Sequence, residues 1–122
     1  MSSRIFIIDT ENLSKYGSIY NRGLTPADCV VFAYTENSRP VHLREMQPII
    51  NSGCELQFEQ METGTPNALD FQIVTYLSMK VNEFKDYSDN VEFYIVSLDK
   101  GFQAAINYLH KIFPDTKIKR IN

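Results

Sequence analysis

Two apolar runs in this chain end in closely spaced polar groups. IFIIDTENL delivers Asp9, Glu11 and Asn12, and FYIVSLDKGF delivers Ser97 and Asp99. Asp70 lies in a third segment, NALDFQIVTYL, between Leu69 and Phe71 and one turn before Ile73 and Val74, so its helix face is expected to expose little surface. Carboxylates gathered in one cleft repel one another and raise one another's pKa, which costs stability unless a cation holds them. Hard divalent ions such as Mg²⁺ or Mn²⁺ prefer oxygen ligands, keep several waters and bind substrate phosphates as well. Taken singly, each residue has a plainer use. Asp99 ahead of Lys100-Gly101-Phe102 suits a helix N-cap, Asp70 suits the positive end of a helix dipole, and Glu11 and Asn12 suit a solvated turn. Jointly they point to a metal-binding site.

The elements that must position these groups can be read from the apolar pattern. Arg4 to Ile8, Cys29 to Tyr34, Cys54 to Phe58, Val91 to Val96 and Lys117 to Ile121 are short, bounded runs rich in β-branched or aromatic residues, the pattern of strands. The first, second and fourth are nearly continuous, as in parallel strands covered on both faces, whereas the third and fifth alternate as edge strands do. Leu69, Ile73, Leu77 and Val81 form a helical stripe, and Phe102, Ala105, Ile106 and Leu109 form another. Val41, Leu43, Met46, Ile49 and Ile50 suit a third helix that Pro48 should kink or split. A short or irregular helix is expected between Asn12 and Leu24. Alternation of this kind predicts an α/β domain with helices on both faces of a parallel sheet. Ligands of such sheets bind beyond the carboxyl ends of the strands, where Asp9 and Asp99 would stand together and the helix carrying Asp70 would pass over them.

A length of 122 residues, 43% apolar and 22% charged, fits one soluble domain spanning 1–122, with no repeats or linkers. No run approaches the roughly 18 apolar residues of a membrane span, and MSSRIFII has no secretory pattern, so a cytoplasmic setting is expected. The net charge of −3 does not advertise a polyanionic partner, which would have to be met by a local patch or through metal ions. Cys29 and Cys54 form no CxxC pair and read as small core hydrophobes, and neither His42 nor His110 has a partner motif.

The three segments, in this order, resemble the PIN-like nucleases, and in particular the NYN-like branch, in which the first strand ends Asp-x-x-Asn and the fourth ends Ser-x-Asp-x-x-Phe. The resemblance implies a Rossmann-like three-layer α/β/α domain whose five parallel strands run in the order 3-2-1-4-5. It also implies a Mg²⁺- or Mn²⁺-dependent ribonuclease, in which a metal-activated water attacks a phosphodiester in line. Asp9, Asp70 and Asp99 match the family's metal-binding acids, Asn12 the polar residue after the first, and Ser97 the serine supporting the last. Where a typical site has a further carboxylate, this sequence has Lys100, Gly101, Phe102 and Gln103. Glu11 either replaces that acid or faces water.

RNA is the implied partner, single-stranded for preference. Lys100, Lys15, Arg22, Lys80 and Lys111 are candidate phosphate contacts, and Tyr16 or Tyr20 could stack on an unpaired base. A homodimer or a partner protein would supply surface that a short chain lacks, and an RNA-binding or protein-interaction subunit with weak or no nuclease activity is the alternative. A response receiver would need an acid closing the third strand and a lysine after the fifth. A haloacid-dehalogenase-like phosphatase would need Asp-x-Asp where this chain has Asp9-Thr10-Glu11. Neither accounts for Asp70, and no glycine-rich phosphate loop follows the first strand.

Overall fold

Strand β1 (Ser3–Asp9) is buried from Ile5 to Asp9, so both of its faces must be covered, and it lies at the centre of the sheet. The computed structural model describes residues 3–13, 19, 22–87 and 90–122. β2 (Cys29–Tyr34), β3 (Glu55–Gln60), β4 (Val91–Val96) and β5 (Lys117–Ile121) join β1 in an all-parallel sheet of order β3-β2-β1-β4-β5. The two alternating strands are thus the edges, as their patterns predict. Among the described residues three helices cover the sheet: α1 (Leu43–Asn51), α2 (Ala68–Glu83) and α3 (Phe102–Ile112).

Side-chain alternation along the strands divides the core in two. Ile5, Ile7, Val31, Phe93 and Ile95 meet the predicted stripe of α2, Leu69, Ile73, Leu77 and Val81, and the buried residues of α3, Phe102, Ile106 and Leu109. Phe6, Ile8, Val30, Phe32 and Val96 meet Ile49 of α1 together with Leu13 and Ile19. Each fully buried Ile, Leu or Phe contributes about 1.5 to 3 kcal/mol, so the central strands dominate the fold's stability. The parity matters for the site. Asp9 continues the Ile5-Ile7 series and Ser97 the Phe93-Ile95 series, which puts both on the face covered by α2 and α3.

Several expectations need correction. Pro48 does not split its helix, because α1 runs unbroken through it. The bond it removes would have gone to the carbonyl of Arg44, and both residues are exposed, so water can take the orphan. Leu43 and Ile50, expected on the apolar face of that helix, are exposed, and Ile49 alone of its residues is fully buried. β3 begins one residue later than predicted and extends to Gln60. The Cys54 N–H is held by Ser52 Oγ at 3.2 Å in a turn, and β2 offers partners in register from Cys29 opposite Glu55 to Tyr34 opposite Gln60. The helix expected between Asn12 and Leu24 falls largely outside the described residues. Cys29 and Cys54 pack, unpaired, against the two halves of the core, and burial pushes the Cys29 thiol up to about 12. No helix among the described residues is long and apolar enough to cross a membrane.

At the amino end of the sheet, Arg4 is bound to Asp28 by a 2.7 Å ion pair and reaches the carbonyls of Arg22 and Gly23. Arg22 lies over the Tyr94 ring there. Five residues along β1 separate Arg4 from Asp9, about 16 Å of strand, so Arg22 belongs to the opposite end of the sheet from the acids.

Candidate acidic site

At the carboxyl end of β1, Asp9 is completely buried. Burial raises its pKa, and three donors oppose that rise: Ser97 Oγ at 2.7 Å, Asn12 Nδ2 at 3.2 Å and the Glu11 N–H at 3.2 Å. A buried carboxylate without partners would cost several kcal/mol, and these bonds are what keep it tolerable. Ser97 also accepts the Asp99 N–H at 3.0 Å, so one hydroxyl ties the ends of β1 and β4 together. The Leu98 N–H to Asn12 carbonyl bond, 2.8 Å, closes the same junction through the backbone.

Asp99 does not cap α3. Gly101 occupies the N-cap position, and Asp99 Oδ1 accepts its N–H at 2.8 Å in a local turn that holds the carboxyl. Asp70 stands in the first turn of α2. Its pKa is pushed up to about 7, first by burial, then by a hydrogen bond with the Asp99 carboxyl, then by the charges of Asp9, Asp99 and Glu11. The fold therefore brings the three acids from three distant segments into one electrostatic group. Phe71, beside it, departs from the expectation of a covered face: it is 69% exposed, because it lies on the far side of α2 from the Leu69 stripe.

Glu11 is exposed to water, yet its side chain is also held by the fold. Its carboxylate accepts a hydrogen bond from the buried Thr35 hydroxyl at the end of β2. Thr35 in turn is held by Ser38, whose Oγ takes the Thr35 N–H at 2.9 Å and contacts Thr10 Oγ1 at 2.6 Å. Arg120 on β5 donates to the Ser97 carbonyl at 2.9 Å, bracing the residue that holds Asp9. Thr35, Gly101 and Arg120 escaped the sequence reading. The signal for Thr35 and Arg120 was their place at the carboxyl ends of strands, the criterion that selected Asp9.

Lys100 is exposed and takes part in none of the ion pairs among the described residues. Lys80 pairs with Glu83 at 3.3 Å, ten residues along α2 from Asp70 or about 15 Å of helix, and Lys111 lies in the last turn of α3, so neither belongs with the acids. Lys15, Tyr16 and Tyr20 lie outside the described residues.

The donors are carboxylates with an amide beside them, oxygen ligands suited to Mg²⁺ or Mn²⁺. Two carboxyls that share one cavity are eased by a shared proton or a cation, and Asp70 and Asp99 are such a pair. As the side chains lie, no group of three or more His, Cys, Asp or Glu among the described residues is arranged to hold an ion. The chemistry of the donor set fits such a metal; a closed ligand cage is not formed.

A parallel three-layer sheet with acids at the carboxyl edge of its central strands defines a Rossmann-like domain with an acidic cleft. The chain belongs to the PIN domain family, whose model matches residues 3–114, and PIN domains are commonly nucleases. Similar solved structures include Enterococcus italicus Csm6 bound to cyclic hexa-2'-fluoro-hexa-dAMP, with a TM-score of 0.60 and 13% identity over 99% of this chain and 34% of that one. Ferredoxin-NADP+ reductase from Plasmodium falciparum has a TM-score of 0.57 and 15% identity over 98% of this chain and 53% of that one. A Vibrio parahaemolyticus protein of unknown function has a TM-score of 0.56 and 10% identity over 98% and 80%. At these identities the likeness is one of fold. The chain spans about half the length of the reductase and a third of that of Csm6. No curated protein matches it in sequence.

Proposed function

We propose that this PIN domain is a metal-dependent ribonuclease of the NYN-like branch, hydrolysing phosphodiester bonds of single-stranded RNA, and that it works as one domain in the cytoplasm. The observation that carries the reading is that Asp70 lines one cavity with Asp99 and the adjoining one with Glu11, while Ser97 ties Asp99 to Asp9. Acids from three separate elements would not be gathered at this cost to stability without a cation to hold. Asp9, Asp70 and Asp99 would bind Mg²⁺ or Mn²⁺, with Glu11 as a further acid steadied by Thr35. The bound ion would supply Lewis acidity at the phosphoryl oxygen and at the attacking water.

The chain's own part is positional. Ser97 and Asn12 fix the orientation of Asp9, and Gly101 fixes that of Asp99. Lys100, exposed and next in sequence to Asp99, is our first candidate for a phosphate contact; Lys15 and Tyr16 remain candidates for the same strand of RNA. The test is cleavage of single-stranded RNA in Mg²⁺ or Mn²⁺ by wild type, Asp9→Asn and Asp99→Asn. Activity confined to wild type supports the proposal, and equal activity in all three ends it. A second reading is an RNA-binding or protein-interaction subunit with weak or no nuclease activity, acting as a homodimer or with a partner protein. It is favoured by the want of a closed ligand group among the described residues. Thermal stabilisation by Mn²⁺ separates the two, since an intact site gains stability on binding and a scaffold need not.

A further inference from the structure

Beside the acids, between α2 and α3, lies an open cavity of about 560 Å³ with two chemically different ends. Asp70 and Asp99 form one end, while Phe71, Val74, Ala104 and Ala105 line the rest. Phe71 follows Asp70 directly and leaves 69% of its surface in water, whereas the apolar stripe of the same helix is buried elsewhere. The facing wall is built of Gly101, Phe102, Ala104 and Ala105, and the small side chains of the two alanines leave space in the cavity. Thr75, also on the wall, has its hydroxyl committed to the Phe71 carbonyl at 2.8 Å.

Asn67 lines the same cavity and also the adjoining one of about 250 Å³ that reaches Glu11 and Asn12. It occupies the N-cap position of α2 yet makes no capping bond with its side chain, and its backbone is left-handed with φ 63°. Asparagine tolerates that conformation, and here it leaves an exposed amide without a partner among the described residues.

An occupant of this cavity must combine a group that acids accept, directly or through a cation, with a flat apolar body next to it. A nucleotide has both, with the phosphate and the base adjacent. A protein partner would instead have to bury two carboxylates beneath an apolar patch and supply cations for both. We infer that the cavity is a nucleobase subsite for the RNA strand, with the Phe71 ring as its stacking platform and the Asn67 amide as its polar contact. The inference rests on the ribonuclease reading above. Because the wall offers an exposed aromatic ring and one exposed amide, the subsite takes any base by stacking and reads its edge weakly.

The test is binding of a short single-stranded 2′-O-methyl RNA carrying 2-aminopurine, whose fluorescence reports stacking, in Mg²⁺, with the strand verified intact after each titration. Wild type and Phe71→Trp bind with a fluorescence change; Phe71→Ala weakens binding about tenfold and abolishes the change. Asn67→Gly, which keeps the left-handed backbone, weakens binding about threefold and keeps the change. If Phe71→Ala binds like wild type while Asp99→Asn abolishes cleavage, the subsite falls and the ribonuclease reading stands. If wild type neither binds nor cleaves, both fall. If Phe71→Ala turns a dimer of wild type into a monomer by light scattering, the cavity is an interface between copies and the inference is overturned.

Discussion

Ser97 Oγ donates to Asp9 Oδ2 at 2.7 Å and accepts the Asp99 N–H at 3.0 Å, so a single hydroxyl serves the acids of two strands. Both Ser97 and Asp9 are fully buried, and no water can replace the donor. Ser97→Ala removes the shorter of the two bonds to Asp9 Oδ2, leaving Asn12 Nδ2 at 3.2 Å, and is expected to destabilise the protein by about 1 to 3 kcal/mol, the worth of a hydrogen bond to a charged group. Urea denaturation at neutral pH measures it. A loss below half a kcal/mol would mean that Asp9 finds another donor.

Gly101 tests the placement of Asp99 without disturbing the fold. Its φ of −61° suits any residue, but a Cβ there would stand 3.0 Å from Asp99 Oδ1. Gly101→Ala should therefore leave thermal stability unchanged or slightly raised, since removing a glycine stiffens the unfolded chain. Mn²⁺ affinity by calorimetry should fall about tenfold, as happens when a ligand's support is lost. Unchanged affinity would show that Asp99 yields without cost.

Thr35 and Glu11 should behave as one unit. Thr35→Val removes the hydroxyl bonded to the Glu11 carboxylate, so if Glu11 serves the metal, Thr35→Val and Glu11→Gln each weaken Mn²⁺ binding. The double variant should then lose little more than Glu11→Gln alone, because coupled residues are not additive. Full additivity would separate Thr35 from the site.

The acids also set a pH dependence in metal-free protein. Asp70 is pushed up to about 7 and Asp9 is raised as well, against an ordinary value of about 3.9. Between those values the folded chain holds a proton that the unfolded chain releases, so stability falls as pH rises from about 4 to about 7. Melting temperatures in chelator should decline across that window, and Asp70→Asn should flatten the decline. Adding Mn²⁺ should recover stability at the alkaline end in wild type but less in Asp70→Asn.

Much of this site could be read before any coordinates. The strand limits of β2, β4 and β5 follow from bounded apolar runs, and the α2 stripe from its four-residue spacing, because burial against one neighbour imposes a period that composition records. Asp9 and Asp99 followed from the rule that polar residues at strand ends face the ligand. Helix exposure was misjudged where two neighbours in sequence point to opposite sides, as Leu69 and Phe71 do. Arg22 and Lys80 were misjudged because charge alone does not say at which end of a sheet or helix a residue stands.

Which segments are central and which are edges follows from the order of the residues, since a strand covered on both faces must be apolar throughout and an edge strand need not be. That order also determined that acids would stand at the carboxyl ends of β1 and β4. Only the tertiary structure decided that Asp70 meets Asp99, that Glu11 is held by Thr35, that Gly101 leaves room for a carboxylate and that Arg120 braces Ser97. Those contacts depend on the crossing of helices over the sheet and on side-chain directions at strand ends, and no periodicity along one chain encodes the distance between two of its distant parts.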